Sequence, residues 1–533
     1  MTDKVTQTMA EETPRPQIHG GTLAANIGRN TFFGVVARIA QVGTRLVTVP
    51  IVIAHLGLGG YGIWSILMTT AAYMRFGSIG VKSAFQKYVA EATGSGNFEA
   101  ANRLLSTGCA IMAVISVAGL VPIAIFSREL AKVAGVPSQF LVSSAHSFTV
   151  LAVIMVLSNV GAVYEAIVMG GHRIDLARNL TTFYTVAEAV AIVILLYLGF
   201  GLFAMASVMA ASEVCFVASC YVVSRKIVPQ IRVSLEHVTK RVIGELLRFA
   251  GSYQVANVMQ VLYMSIVPVT LLRIFGADAA GIYALTIRLV QSAMMLPDSL
   301  LSPILSSASM VFAGSSASDM RTLINKSFKV TLVLGFFPLV FTALFGPLIV
   351  FAWTGEASPS LRIAFWLVCA AGLFQSFSTL GLVLYRASGR VLLDNIRLAS
   401  QIVLLLLIAI AAPRLGFHGV LVGLASVEFL GMIFMMYALT HAFEVFRLKA
   451  LLADTLRMSG AIAIVLVVAW ATFLIPLPAV GRERVTAMIR LAEVCIACLI
   501  AAWPALVVTK SLTPTESKAL LSIARRPLSA ESS

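Results

Sequence analysis

The sequence predicts an all-α polytopic membrane protein of about 14 transmembrane helices, built as two parallel six-helix repeats with two further helices after them. Three observations predict it. Of 533 residues, 59% are hydrophobic and 12% charged, where a soluble domain carries about a quarter charged residues; the mean hydropathy is +0.92. Apolar stretches long enough to span a bilayer recur from Ile27 to Thr509, with short polar loops between them. A glycine-aromatic motif early in the chain returns about 219 residues later.

Helix follows from the first two observations. Unpaired backbone groups in hydrocarbon cost several kcal/mol each, and the period-two alternation of a barrel is absent. The spans fall near 27–54, 61–81, 104–126, 140–163, 182–199, 202–222, 250–274, 281–305, 330–353, 361–384, 398–413, 419–440, 456–475 and 487–509. Residues 1–26 are polar, contain Pro14 and Pro16, and lack the three-part pattern of a signal peptide, so they are expected to form a disordered cytoplasmic tail.

With that end inside, cytoplasmic loops, tails and adjoining helix ends collect 27 of the 39 Lys and Arg, against eight on the other side. The positive-inside rule then places both termini in the cytoplasm. The net charge of +15 is thereby assigned to membrane sidedness and not to nucleic acid.

The repeat pairs residues 55–64 (HLGLGGYGIW) with 274–283 (IFGADAAGIY). The same offset lays Arg29 on Arg248 and Gln41 on Gln260, and LGFG at 198–201 answers LGFHG at 415–419. Six helices is an even number, so both copies enter from one side and are related by an axis along the membrane normal. The expected organisation is a lobe over 27–222, a basic linker over 223–248, a second lobe over 249–442, two additional helices over 443–509 and a cytoplasmic tail over 510–533. In that tail Thr513-Pro514-Thr515-Glu516 reads as a capping box opening a short surface helix.

Charges inside spans are costly, about 2.5–3.5 kcal/mol at the bilayer centre on insertion scales, so they belong against protein or a water-filled cavity. Arg38 and Arg45 lie seven residues apart, two turns along one helix face; Arg75 and Lys82 repeat the spacing, and Arg288 sits two turns into the eighth span. Arg38, Arg45, Arg75 and Arg288 are the candidate substrate-binding residues of one cationic cavity, suited to phosphate because a guanidinium offers a planar fork of donors and stays charged. Snorkelling to headgroups is the competing role, above all for Arg29, Lys82 and Lys87.

Four intramembrane acids, Glu188, Glu213, Asp298 and Glu428, are candidates for ion coupling or for partnering the arginines. Asp298 follows Pro297 and precedes Pro303, where a helix bend is expected.

No H-E-x-x-H, G-x-S-x-G or G-x-x-x-x-G-K-[ST] motif is present, so no catalytic residue, metal or cofactor is assigned and the chain is not read as an enzyme. Six cysteines all fall in apolar stretches, and Cys495 and Cys498 form a lone C-x-x-C that reads as packing.

The run 55–91, HLGLGGYGIWSILMTTAAYMRFGSIGVKSAFQKYVAE, resembles the first loop and second helix of the polysaccharide transporter branch of the multidrug/oligosaccharidyl-lipid/polysaccharide flippase superfamily. The resemblance extends loosely over 27–445 through helix count and duplication; its specific motif covers some forty residues. It implies a flippase of the bacterial cytoplasmic (inner) membrane that carries a polyprenyl-diphosphate-linked oligosaccharide outward for O-antigen, exopolysaccharide or a related polymer. Membrane lipids and other polysaccharide-assembly proteins are the implied partners. Fourteen helices also resemble the branch that flips the peptidoglycan precursor. A cation-coupled drug exporter is disfavoured because no acid lies between Ile27 and Lys82, and a polymerase or ligase because no large outer loop is present.

Overall fold

In the computed structural model the described residues are 20–75, 79–171, 173–299, 301, 304, 308, 317–387, 392–443, 448–474 and 483–509; the tail expected over 510–533 and residues 1–19 of the one expected over 1–26 lie outside them, while residues 20–26 are helical. The described chain is all-α. Its helices are α1 (Gly20–Arg75), α2 (Ile79–Ser95), α3 (Phe98–Val133), α4 (Ser138–Gly170), α5 (Ile174–Tyr197), α6 (Leu202–Ile227), α7 (Lys240–Phe275), α8 (Ala277–Ser299), α9 (Ala317–Thr354), α10 (Pro359–Ala387), α11 (Leu392–Phe443), α12 (Leu448–Leu474) and α13 (Glu483–Val508). Ten described helices are long and apolar enough to cross a membrane, and each of the 14 expected spans overlaps a described helix.

Two of the helices are each broken at one residue. Sequence reading places loops at 55–60 and 414–418; the structure instead runs helix up to Gly57 (φ 72°, ψ 171°) and to Gly416 (φ 72°, ψ 174°) and resumes it on the next residue. An uninterrupted α11 of 52 residues would measure about 78 Å against a hydrocarbon core of about 30 Å, so a break near its middle is required. Only glycine takes a positive φ there without crowding a Cβ against the following carbonyl.

The same device recurs in register. Positive-φ glycines at 57, 135 and 199 have counterparts at 276, 355 and 416, offset by 219, 220 and 217 residues. The first and last of these pairs lie in motifs legible in the sequence; the middle pair joins no such motif.

The chain divides into two compact units, Met1–Ser265 and Ile266–Ser533, the division falling inside α7. In unit 1, α4 packs on both α3 and α6, while α5 lies along α1. Its core at one end joins Phe85, Val89, Leu105, Val163 and Ile167 to Val228 and Ile231 of the chain that follows α6. Close approach depends on small residues: a Cβ on Gly161 would meet Val217 at 2.3 Å, and one on Gly108 would meet Phe85 at 2.3 Å.

In unit 2, α10 packs on α8, α9 and α11 around Phe328 and Phe377, whose rings stack 6.1 Å apart. Helices α12 and α13 form a hairpin against α9, with Ala461, Val465, Val494 and Cys498 packed on Phe337, Phe341 and Phe345. Two arginines tie the hairpin down. Arg484 donates to the Trp353 carbonyl at the end of α9 (2.7 Å), and Arg490 donates to the Thr472 carbonyl (3.2 Å) while lying 5.4 Å from the Phe473 ring centre. Arg490 thus meets the last carbonyls of α12, where the helix dipole favours a cation. All six cysteines are free.

Candidate functional site

The four candidate arginines fall in both units. Arg38, Arg45 and Arg75 lie on α1 in unit 1, and Arg288 lies on α8 in unit 2. The side chains of Arg38 and Arg75 lie outside the described set; Arg45 is exposed, on the part of α1 before Gly57, whose described buried positions are Val49, Val52 and Ile53. Their spacing of three and four residues marks the face of α1 that packs inward.

Arg288 is the candidate with the clearest geometry. The helix around it buries Leu285, Thr286 and Val290 completely, and the Arg288 stem goes with them to a half-buried position. Its Nε is shut off from solvent and has no hydrogen-bond partner. A buried donor left unmatched costs about 1–3 kcal/mol, more on a charged group, and an arriving oxyanion would recover that cost.

The four acids separate by depth. Asp298 is exposed, next to the last residue of α8, directly after buried Pro297. Pro303, the other side of the expected bend, lies outside the described residues. Glu188 on α5 and Glu213 on α6 are half-buried, and Glu213 accepts a 2.5 Å bond from Ser158 Oγ of α4. Glu428 is only 2% exposed. It accepts from Gln401 Nε2 at 3.3 Å, and Gln401 Oε1 in turn accepts from Arg397 at 2.6 Å. The arginine linked to this acid is therefore Arg397, through an amide, and not one of the four candidates.

Sequence reading misses three members of these clusters, Arg397, Gln401 and Ser158. Arg397 stands one residue outside an expected span and reads as a loop cation; its i,i+4 spacing from Gln401 is the available signal for both. Ser158 carries no signal, since a lone serine in an apolar helix also bonds its own backbone.

Offsets close to that of the turn glycines relate the two clusters. Ser158 corresponds to Ser378, Tyr184 to Gln401 and Glu213 to Gly431. In unit 1, Tyr184 Oη meets Ser219 Oγ at 2.7 Å and Glu213 holds Ser158. In unit 2 the amide of Gln401 lies where a side chain at Gly431 would begin: a Cβ there would meet Gln401 Nε2 at 2.6 Å.

A family model for a polysaccharide biosynthesis protein matches residues 61–357, more than half of the chain. The chain belongs to that family. Among curated proteins it is 24% identical over 350 residues to the uncharacterized membrane protein EpsK of Bacillus subtilis (strain 168), spanning 64% of each protein's length. Among solved structures it resembles the lipid II flippase MurJ in an inward closed conformation (TM-score 0.64, 13% identity, 89% of this chain and 97% of that one). It also resembles an inward-facing multidrug resistance MATE transporter (TM-score 0.60, 13% identity, 76% and 94%) and the MATE multidrug transporter DinF-BH (0.59, 16%, 82% and 99%). At those identities the likeness establishes the fold. Family and helix content together make this polysaccharide biosynthesis protein a multi-pass membrane protein, with the fold that the MurJ and MATE structures share.

Proposed function

We propose that this family member carries a polyprenyl-diphosphate-linked oligosaccharide from the inner to the outer leaflet of the bacterial cytoplasmic membrane, for assembly of a surface polysaccharide such as O-antigen or exopolysaccharide. The observation that carries the reading is Arg288, a half-buried guanidinium whose Nε is buried and unmatched. A diphosphate supplies the acceptors that this donor lacks, and Arg38, Arg45 and Arg75 add charge of the same sign on α1. The cargo moves by alternating access: the diphosphate is held by the arginines while the polyprenyl tail stays in lipid. Both termini face the cytoplasm, as the lysine and arginine distribution supports. An acid among Glu188, Glu213, Asp298 and Glu428 couples the cycle to an ion, and other assembly proteins receive the lipid-linked product.

The test is translocation of a fluorescent polyprenyl-diphosphate oligosaccharide in liposomes holding the purified protein, run beside lipid-linked peptidoglycan precursor and a cationic dye. Movement of the oligosaccharide lipid, reduced at least tenfold in Arg288→Ala and partly restored in Arg288→Lys, is the expected result. Dye movement alone assigns drug export. Movement of the peptidoglycan precursor alone assigns that cargo, and chain extension of the glycan in the same vesicles assigns a polymerase.

A further inference from the structure

The chain leaving α6 does not hang free as a tether. Asn102 Nδ2 donates to the Gln230 carbonyl (3.3 Å) and Asn102 Oδ1 accepts from the Arg232 N–H (2.8 Å). One turn on, Ser106 Oγ donates to the Arg232 carbonyl (3.5 Å) and accepts from the Ser234 N–H (3.0 Å), and Thr107 Oγ1 accepts from the Thr239 N–H (3.2 Å). The register has a simple cause. Four helical residues advance about 6 Å and two extended residues about 6.6 Å, so an i,i+4 pair on α3 can read alternate peptide units of an extended strap. Val228 and Ile231 anchor it from beneath, 4% and 2% exposed.

What the strap turns outward is unusual for a polar connection. Leu235, in a short 3-10 turn (Leu235–His237), is 83% exposed, more than any other large hydrophobic residue among the described ones. It is not part of a spanning helix, since α6 ends at Ile227. Lys226 and Arg232 are exposed nearby and Arg225 bonds the Ile231 carbonyl (3.3 Å), three cations against the single carboxylate of Glu236. The height is set by α3, whose 36 residues measure about 54 Å, so its ends project beyond a hydrocarbon core of about 30 Å. The stitching residues lie in its first three turns, at the level of the headgroups.

We propose that residues 228–239 form a preordered interfacial anchor for anionic phospholipid, with Arg232 and Lys226 on headgroup phosphates and Leu235 immersed beneath them. A lipid surface offers a phosphate layer over hydrocarbon and matches both features, whereas an acidic protein surface matches only the charge. The stitched backbone has already lost its conformational freedom, so little ordering is left to oppose binding. The anchor rests on the membrane-spanning fold and is independent of the cargo.

The test places p-benzoylphenylalanine at position 235 of the full-length protein in nanodiscs of mixed phosphatidylcholine and phosphatidylglycerol. Irradiation is expected to give lipid adducts enriched in phosphatidylglycerol over the bulk composition. Lys226→Gln with Arg232→Gln lowers that enrichment by roughly fivefold for each cation removed, while slow hydrogen exchange at the Ser234 amide shows the strap still docked. Lipid adducts at bulk composition, no adduct, or adducts to another protein when native membranes are irradiated would each overturn the proposal.

Discussion

Unit 1 and unit 2 use the same three-helix junction for opposite electrostatic solutions. In unit 1 a half-buried carboxylate, Glu213, accepts a hydrogen bond from the Ser158 hydroxyl. In unit 2 the corresponding position is Gly431, the serine counterpart is Ser378, and the carboxylate comes from Glu428, nearly a turn earlier and almost wholly buried. It is reached by Gln401, which hands the connection on to Arg397. A half-buried acid pays only part of the cost of leaving water; one almost wholly removed from it needs a close partner, and an amide lets a cation serve it from a helix turn away. Duplication has kept the place and changed the chemistry.

The strongest way to break this comparison is to restore the unit 1 residue in unit 2. Gly431→Glu drives a side chain into the Gln401 amide and is expected to cost about 3 kcal/mol or more of stability, read as a fall in apparent melting temperature in detergent. The reciprocal Glu213→Gly should cost far less, and equal losses would show that the two junctions are not counterparts. Next, Glu428→Ala should cost about 2–3 kcal/mol by stranding the Gln401 donor in a cavity, against about 1 kcal/mol for Glu213→Ala.

A double-mutant cycle of Glu428→Ala with Gln401→Ala sharpens the point. A coupling of about 1 kcal/mol is expected for the neighbouring pair, and strict additivity would mean that the 3.3 Å contact contributes nothing. The smallest effect belongs to unit 1: Tyr184→Phe removes the Ser219 bond at a half-buried position and should lower stability by no more than about 1 kcal/mol.

The spans are legible in the sequence because hydrocarbon thickness forces a stretch of about 20 apolar residues into view wherever a helix crosses. Duplication is legible at 55–64 and 415–419 because turn glycine and flanking aromatic residues survive there as strings. At Gly135 and Gly355 the backbone conformation is shared but the neighbouring letters are not, and only φ reveals the correspondence. The tightness of the turns at Gly57 and Gly416 is hidden too, since polar or glycine-rich letters say that a helix stops and not how quickly it starts again.

The polar junctions are legible only in part. Buried charge announces itself, so Glu213 and Glu428 stand out, but their partners Ser158 and Gln401 are of types that occur on any helix. Arg397 reads as a loop residue because a hydropathy edge moves outward from a charge, and Arg490, three residues inside its expected span, gives no sign that its guanidinium lies against a helix carbonyl.

The glycine-closed turns have a further practical consequence. At these turns the joined helices are separated by one to four residues: Gly57, residues 134–137, 198–201, Gly276, 355–358 and Gly416. A protease must draw about that many residues of extended backbone into its cleft and an antibody must grip a protruding loop, so neither finds a handle there. Epitope tags and reporter domains inserted into these turns would have to unwind a helix end to fit.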